Sequence, residues 1–397
     1  MIRHILVCLS FCLFAAYAQA DNRITIGEIL SIKSEILEED RPYAVYLPES
    51  YSDEVISPIT YPVLYLLDGG AHFHSATGVV QYMSAGFGSN TQIPEMIVVA
   101  IPNTDRERDL LPTHSTVGPD GKEMPFLETS GGGDKFLKFI AEELQPEIES
   151  SYRTQPFKVL VGHSAGGLLA THAFLESRQL FQAYIAIDPP LWWDEGVMIR
   201  RVKDLLQNAE QLSGQIYLSM ANTEEPGFDQ KLVKGPLNEF STLLKSAESP
   251  DFRSELRYFE DEDHMSVPIL SLYYGLLFVF DGYKPSPALL DGEPSALKAH
   301  FERVSDRLGI TLLPPENLVN GMGYQMLYSE QDLDKAVEFL TLNTVNYPES
   351  FNAFDSLAEA YMVSGDIALA ITNYERSLEL NPDNQNAIEQ LNSLRAE

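Results

Sequence analysis

The sequence predicts an α/β protein: a mostly parallel sheet with helices on both faces, followed by a small all-α region at the carboxyl end. Three observations carry this. Near-continuous apolar runs of strand length recur along the first 260 residues, as expected for strands buried on both faces. Helical patterns separate most of them, and strands alternating with helices give a parallel sheet. After Asp281 the strand-like runs stop and the chain becomes helical and repetitive.

In chain order, Met1 to Ala20 reads as a secretory signal peptide. Arg3 and His4 form a basic start, Ile5 to Ala16 an apolar run, and Ala18-Gln19-Ala20 a small-x-small cleavage site. Export to the periplasm or the medium is the expectation. Both cysteines, Cys8 and Cys12, fall inside that peptide, so the processed chain is expected to rest on its core without disulfides. The 397 residues exceed one compact core of usual size, so at least two domains are expected. Loss of Arg3 leaves 26 basic against 58 acidic residues, a net charge of 26 − 58 = −32. That field disfavours nucleic acid and anionic lipid, and slows the approach of polyanionic substrates.

Residues 21–285 form the first expected domain. Ile24 to Ile36 and Pro42 to Leu47 alternate as strands and start the sheet antiparallel. Tyr61 to Leu67 and Met96 to Ile101 are buried strands, ending in Asp68-Gly69-Gly70 and Pro102-Asn103. Asp134 is expected to cap a helix after Gly131-Gly132-Gly133, with Phe136, Ile140 and Leu144 on its inner face. Later strands run from Phe157 to Gly162, Ala183 to Ile187, Gln215 to Met220 and Leu256 to Phe259. Their loops gather at the carboxyl ends of the strands, where open α/β sheets bind ligands.

The stretch Phe157 to Gly167 carries the chemistry. A strand meets Gly162-His163-Ser164-Ala165-Gly166, and an Ala/Leu-rich helix follows at once. This is the setting of a nucleophile elbow, where a serine on a strained turn is exposed at the end of an α/β-hydrolase sheet. A serine hydroxyl needs a histidine base oriented by a carboxylate, in the chain order serine, acid, histidine. Within residues 21–285 two histidines follow Ser164. His172 lies within the helix leaving the elbow, so His264 is the expected base. For the acid, the strand ending at Met220 favours Glu224, then Glu225, with Asp188 as a third candidate; Asp261 and Asp263 read as solvated neighbours of the base. The backbone N–H groups of Ala165 and Gly70 are the expected oxyanion donors, each worth about 3 kcal/mol of barrier.

Residues 286–316 read as a connecting segment, with an amphipathic helix bearing Leu297, Phe301, Val304 and Leu308. In residues 317–397, Ala336, Tyr347 and Pro348 recur 34 residues later as Ala370, Asn381 and Pro382. Phe354, Leu357, Ala358, Tyr361 and Tyr374 keep the tetratricopeptide spacing. One good repeat, one degenerate repeat and a closing helix are too few to stand alone, so they are expected to pack on the first domain. A protein partner for this tail and a plain helical hairpin remain equal readings.

Tyr61 to Gly69, the run Asn103-x-x-Arg106-x-Arg108-Asp109-Leu110-x-Pro112, Gly162 to Gly167, Leu191-Trp192-Trp193 and His264 to Pro268 together resemble the esterase D-type esterases. These are α/β-hydrolases that include siderophore trilactone esterases. The resemblance covers Ile24 to Asp281 and implies ester hydrolysis through an acyl-enzyme on Ser164. It also implies that Arg106, Arg108, Trp192 and Trp193 lie near the substrate. Asp188-Pro189-Pro190 departs from the family's pattern before the tryptophans, and the helical tail is no part of the siderophore enzymes. The reading is an exported serine esterase of small acyl or aryl esters. Alternatives are a siderophore trilactone esterase, an acyltransferase, or an inactive scaffold that binds a partner through its tail. No zinc motif, phosphate loop or dinucleotide fingerprint is present, and no cofactor is expected.

Overall fold

The computed structural model describes residues 24–84, 91–208, 210–222, 230–290 and 292–396. Eight strands form one sheet: β1 (Glu28–Ser34), β2 (Glu39–Tyr46), β3 (Tyr61–Leu66), β4 (Ile97–Ala100), β5 (Thr154–His163), β6 (Ala183–Ile187), β7 (Gly214–Ala221) and β8 (Phe252–Phe259). Their order is β1-β2-β4-β3-β5-β6-β7-β8. β1 pairs antiparallel with β2 and β2 with β4, while every later pairing is parallel. The expected antiparallel start and parallel body are both present.

All six residues of β3 are buried, which is why its sequence is apolar without alternation. Val63 and Tyr65 face one layer and Leu64 and Leu66 the other, as the two-residue period of a strand requires. The helices that cover these faces are α1 (Gly69–Ser84), α2 (Arg106–Leu110), α3 (Gly133–Phe139), α4 (Gln145–Ser151), α5 (Ala165–Glu176), α6 (Trp193–Gln207), α7 (Gln230–Ser246) and α8 (Val267–Val279). Phe136, Ile140 and Leu144 are buried on one face, as their spacing predicted. Asp134 is not the cap: Gly132 holds that position, and the Asp134 carboxylate lies 2.5 Å from Nε2 of the buried His172. That hydrogen-bonding partner lies 38 residues away, beyond the reach of a local capping rule.

The carboxyl region is helical, with α9 (Pro287–Leu290), α10 (Pro294–Leu308), α11 (Glu316–Tyr324), α12 (Leu333–Asn346), α13 (Phe351–Ser364), α14 (Ile367–Leu380) and α15 (Gln385–Leu394). α12 and α14 start 34 residues apart (367 − 333), and so do α13 and α15 (385 − 351). Leu297, Phe301, Val304 and Leu308 of α10 are buried in one core with Leu276 of α8 and Phe157 of β5. That core continues through Val319, Phe339 and Leu357. The tail therefore packs on the sheet-bearing body. Glu316 fastens the seam: its carboxylate accepts from Ser57 N at 2.8 Å and from Ser350 Oγ at 2.5 Å. Burial pushes that carboxyl's pKa upward.

Candidate active site

Ser164 stands between β5 and α5 with φ 57° and ψ −120°, a conformation that is strained for any residue with a Cβ. The flanking glycines make the bend sterically feasible. A Cβ on Gly162 would lie 2.2 Å from the carbonyl oxygen of Gly166, and one on Gly167 2.9 Å from that of Ile187. Ser164 N–H donates to the Ile187 carbonyl at 2.9 Å, so the elbow is bonded to the last residue of β6.

The residue that follows β6 is Asp188, also at positive φ (44°) and buried. Its N–H donates to Ser219 O, and its Oδ1 accepts from Ala221 N at 3.1 Å, both at the end of β7. Its Oδ2 lies 2.6 Å from Nδ1 of His264. His264 sits in the loop between β8 and α8, which is held to the end of β7 by Asn222 N–H donating to Glu262 O at 2.7 Å. With Nδ1–H donating to Asp188, Nε2 of His264 is left as the acceptor for a proton. Glu224 and Glu225 lie outside the described residues. Asp263 accepts from the backbone N–H groups of Met265 and Ser266, which hold its carboxyl below the usual range. It shapes the loop rather than the base.

His172 is buried away from this cluster, beside Asp134 and Arg201. His300, further along the chain, sits on α10 against Tyr283 O. The sequence reading gave no part to His163, whose ring centroid lies 4.5 Å from that of His264 and 5.7 Å from that of His72. Burial, reinforced by repulsion from His264 and His72, pulls its pKa down to about 4. It is an uncharged ring at neutral pH. Its position beside the serine in the motif was the only sequence signal.

Loops after the neighbouring strands β3 and β5 supply two unengaged backbone donors. Gly69 N–H donates to Ile101 O, and Ala71 and His72 N–H both donate to Asp68 O. Between them, the Gly70 N–H has no hydrogen-bond partner among the described residues, and the same holds for Ala165 N–H. Both lie in first turns of helices, where N–H groups are free to meet an anion.

The four residues expected near substrate are placed differently. Arg106 grips Asp68 with Nε at 2.7 Å and Nη2 at 3.0 Å. Arg108 bonds Glu39 at 2.7 Å and Asp109 at 2.7 Å, and it holds the Glu39 carboxyl down to about 2. Trp193 is a core residue whose Nε1 donates to Thr113 Oγ1 at 3.0 Å. Trp192 is half-buried, with its ring centroid 6.1 Å from that of Trp193. Arg108 is thus held between two carboxylates, and Trp193 is packed in the core. A pocket lined by Leu66, Leu67, His163, Ile187, Ile269 and Leu272 opens beside the elbow, and among the described residues no Arg, Lys, Asp or Glu lines it.

The profile of the family described as Putative esterase matches residues 34–265, more than half of the chain. The ferri-bacillibactin esterase BesA of Bacillus subtilis is 29% identical over 244 residues, covering 58% of this chain and 83% of its own. The siderophore enterobactin esterase of Emericella nidulans is 29% identical over 254 residues, covering 54% of this chain and 81% of its own. Among solved structures, an IroE-like serine hydrolase from Shewanella oneidensis superposes with a TM-score of 0.70 at 31% identity, covering 81% of this chain and 99% of that one. A protein from Capnocytophaga ochracea shares the fold over 93% of this chain and 100% of its own, with a TM-score of 0.60 at 20% identity. By the extent of that profile match, the chain belongs to the Putative esterase family.

Proposed function

We propose that this esterase works through an acyl-enzyme on Ser164, with His264 as base and Asp188 as the orienting acid. The observation that supports it best is the Asp188–His264 pair, set beside an elbow serine whose backbone is bonded to the residue preceding Asp188. Nε2 of His264 takes the Ser164 proton as Oγ attacks the ester carbon. The tetrahedral oxyanion is met by the N–H groups of Gly70 and Ala165. Collapse breaks the bond to the alcohol oxygen, which leaves with the proton from His264. A water then gives a proton to His264 as it attacks the acyl carbon; collapse breaks the bond to Ser164 Oγ, which takes that proton back from His264, and the acid is released. Asp188 stabilises the imidazolium in both halves.

Small neutral acyl or aryl esters fit this site best. Arg106 and Arg108, the cations that the resemblance brings near the substrate, are both paired with carboxylates, and the formal net charge is −31. A multiply anionic ferric siderophore would meet an unfavourable field. A second reading, a siderophore ester as substrate, rests on the names of the relatives. We also read the chain as exported, with residues 1–20 as its leader, and the tail as tetratricopeptide-like.

A fluorophosphonate probe mapped to a tryptic peptide tests the nucleophile. Labelling of Ser164, lost in Ser164→Ala, is the expected result. Label retained in that variant assigns the nucleophile to another residue and overturns the reading; a folded wild type with neither label nor turnover of p-nitrophenyl acetate overturns it in favour of a scaffold. Turnover of ferric trilactones faster than of p-nitrophenyl esters would establish the second substrate class.

A further inference from the structure

Arg106 is not placed as a free cation in the cleft. Its guanidinium forks onto both carboxylate oxygens of Asp68, and Nη2 also reaches the carbonyl oxygen of His163 at 3.5 Å. Asn103 Nδ2 adds a third donor to Asp68 Oδ1 at 2.6 Å. Asp68 is 5% exposed and sits at φ 52°, a left-handed conformation that a residue with a Cβ holds only when its surroundings fix it. Its carbonyl accepts the Ala71 and His72 N–H groups, which leaves the Gly70 N–H unengaged. The carboxylate also stands against the elbow, since a Cβ on Gly166 would lie 3.2 Å from Asp68 Oδ2.

We propose that Arg106, assisted by Asn103, is a positioning residue that assembles the oxyanion hole through Asp68. This rests on the reading of Ser164 as nucleophile and of Gly70 and Ala165 as donors. Two physical effects follow from the contacts. The first is geometric: one guanidinium ties Asp68, at the start of the turn into α1, to His163 at the end of β5, so the Gly70 and Ala165 donors that follow them keep one spacing. The second is electrostatic. A buried carboxylate beside a hole built for negative charge would oppose the tetrahedral intermediate, and its pairing with Arg106 cancels that field.

The electrostatic part gives a signature that a merely structural role does not. In Arg106→Gln, kcat for p-nitrophenyl acetate falls by roughly a hundredfold, the range set by loss of one oxyanion donor, with KM little changed. Affinity for phenylboronic acid, which mimics the tetrahedral adduct, falls in parallel. Adding Asp68→Asn to Arg106→Gln removes the uncompensated charge and recovers part of kcat, so the double variant outperforms the single one. Asn103→Ala and Arg106→Lys, milder changes, lower kcat severalfold and keep the inference testable if Arg106→Gln does not fold. A rise in KM at constant kcat assigns Arg106 to substrate binding and overturns the proposal. So does a double variant slower than the single one, or unchanged kcat in both milder variants. Failure of the underlying reading looks different: turnover or label would persist in Ser164→Ala whatever position 106 does.

Discussion

Asp188 Oδ2 lies 2.6 Å from His264 Nδ1 across a separation of 76 residues, and the carboxylate side chain of this pair is 2% exposed. A buried carboxylate is stable as an anion only when hydrogen-bonded, and Ala221 N–H supplies the second bond. If this pair orients the base, Asp188→Asn presents the wrong tautomer of His264 to the serine. Its kcat should fall by about 10³- to 10⁴-fold with the fold intact. Glu224→Gln should stay near wild type in the same p-nitrophenyl ester assay. The reverse ranking would return the acid's role to Glu224.

His163 gives the protein an acid-labile feature. Its folded pKa is about 4, against an ordinary value of 6.5, because burial disfavours the imidazolium. As pH falls below 6.5 the unfolded chain takes up a proton that the folded chain refuses, so stability drops until pH 4 and the loss then stops growing. Above 6.5 both states are neutral and the group contributes nothing. At pH 5 the cost is about 2 kcal/mol. Burial also lowers the pKa values of His72 and His172, but both histidines are kept in a variant at position 163. Urea unfolding of His163→Phe at pH 7 and pH 5 should show a pH difference smaller by that amount; parallel losses in both proteins would remove His163 as the cause.

The strands were legible because burial on both faces writes itself as uninterrupted apolar sequence, as in Tyr61 to Leu66. The elbow was legible because its glycines answer a local steric demand. Which carboxylate meets His264 was not. β6 and β7 both run into acidic residues, and the choice depends on the turn at Asp188, whose positive φ directs the carboxylate across to the β8 loop. The pairing of the arginines was hidden for a related reason: long cationic side chains look available in sequence, yet Glu39, one of the two carboxylates that hold Arg108, is 69 residues distant. The apolar stripe on α10 could be read, but the surface receiving it could not.

Gly162→Ala tests the steric account of the elbow. Its new methyl would lie 2.2 Å from the Gly166 carbonyl oxygen, a backbone atom that moves only if the elbow itself moves. Destabilisation of about 3 kcal/mol or more is expected, together with loss of fluorophosphonate labelling. A variant with unchanged melting temperature and normal labelling would show that the bend tolerates a side chain.

The common core of the sheet and the helical tail makes a prediction about cooperativity. Phe301 of α10 is 1% exposed and meets the Tyr283 ring edge-to-face at 5.5 Å, in the same cluster as Phe280 and Leu276. Truncation to alanine removes the ring's transfer free energy and leaves a cavity, so Phe301→Ala should lose about 3–4 kcal/mol. Because that cluster runs without a break from β5 to α13, the loss belongs to the whole molecule rather than to the tail. Esterase inactivation and far-UV helix signal should then fall at one temperature in both proteins, shifted downward together in the variant. A first transition that melts helix while activity survives would mean that the tail unfolds by itself, and the shared core would not be a cooperative one.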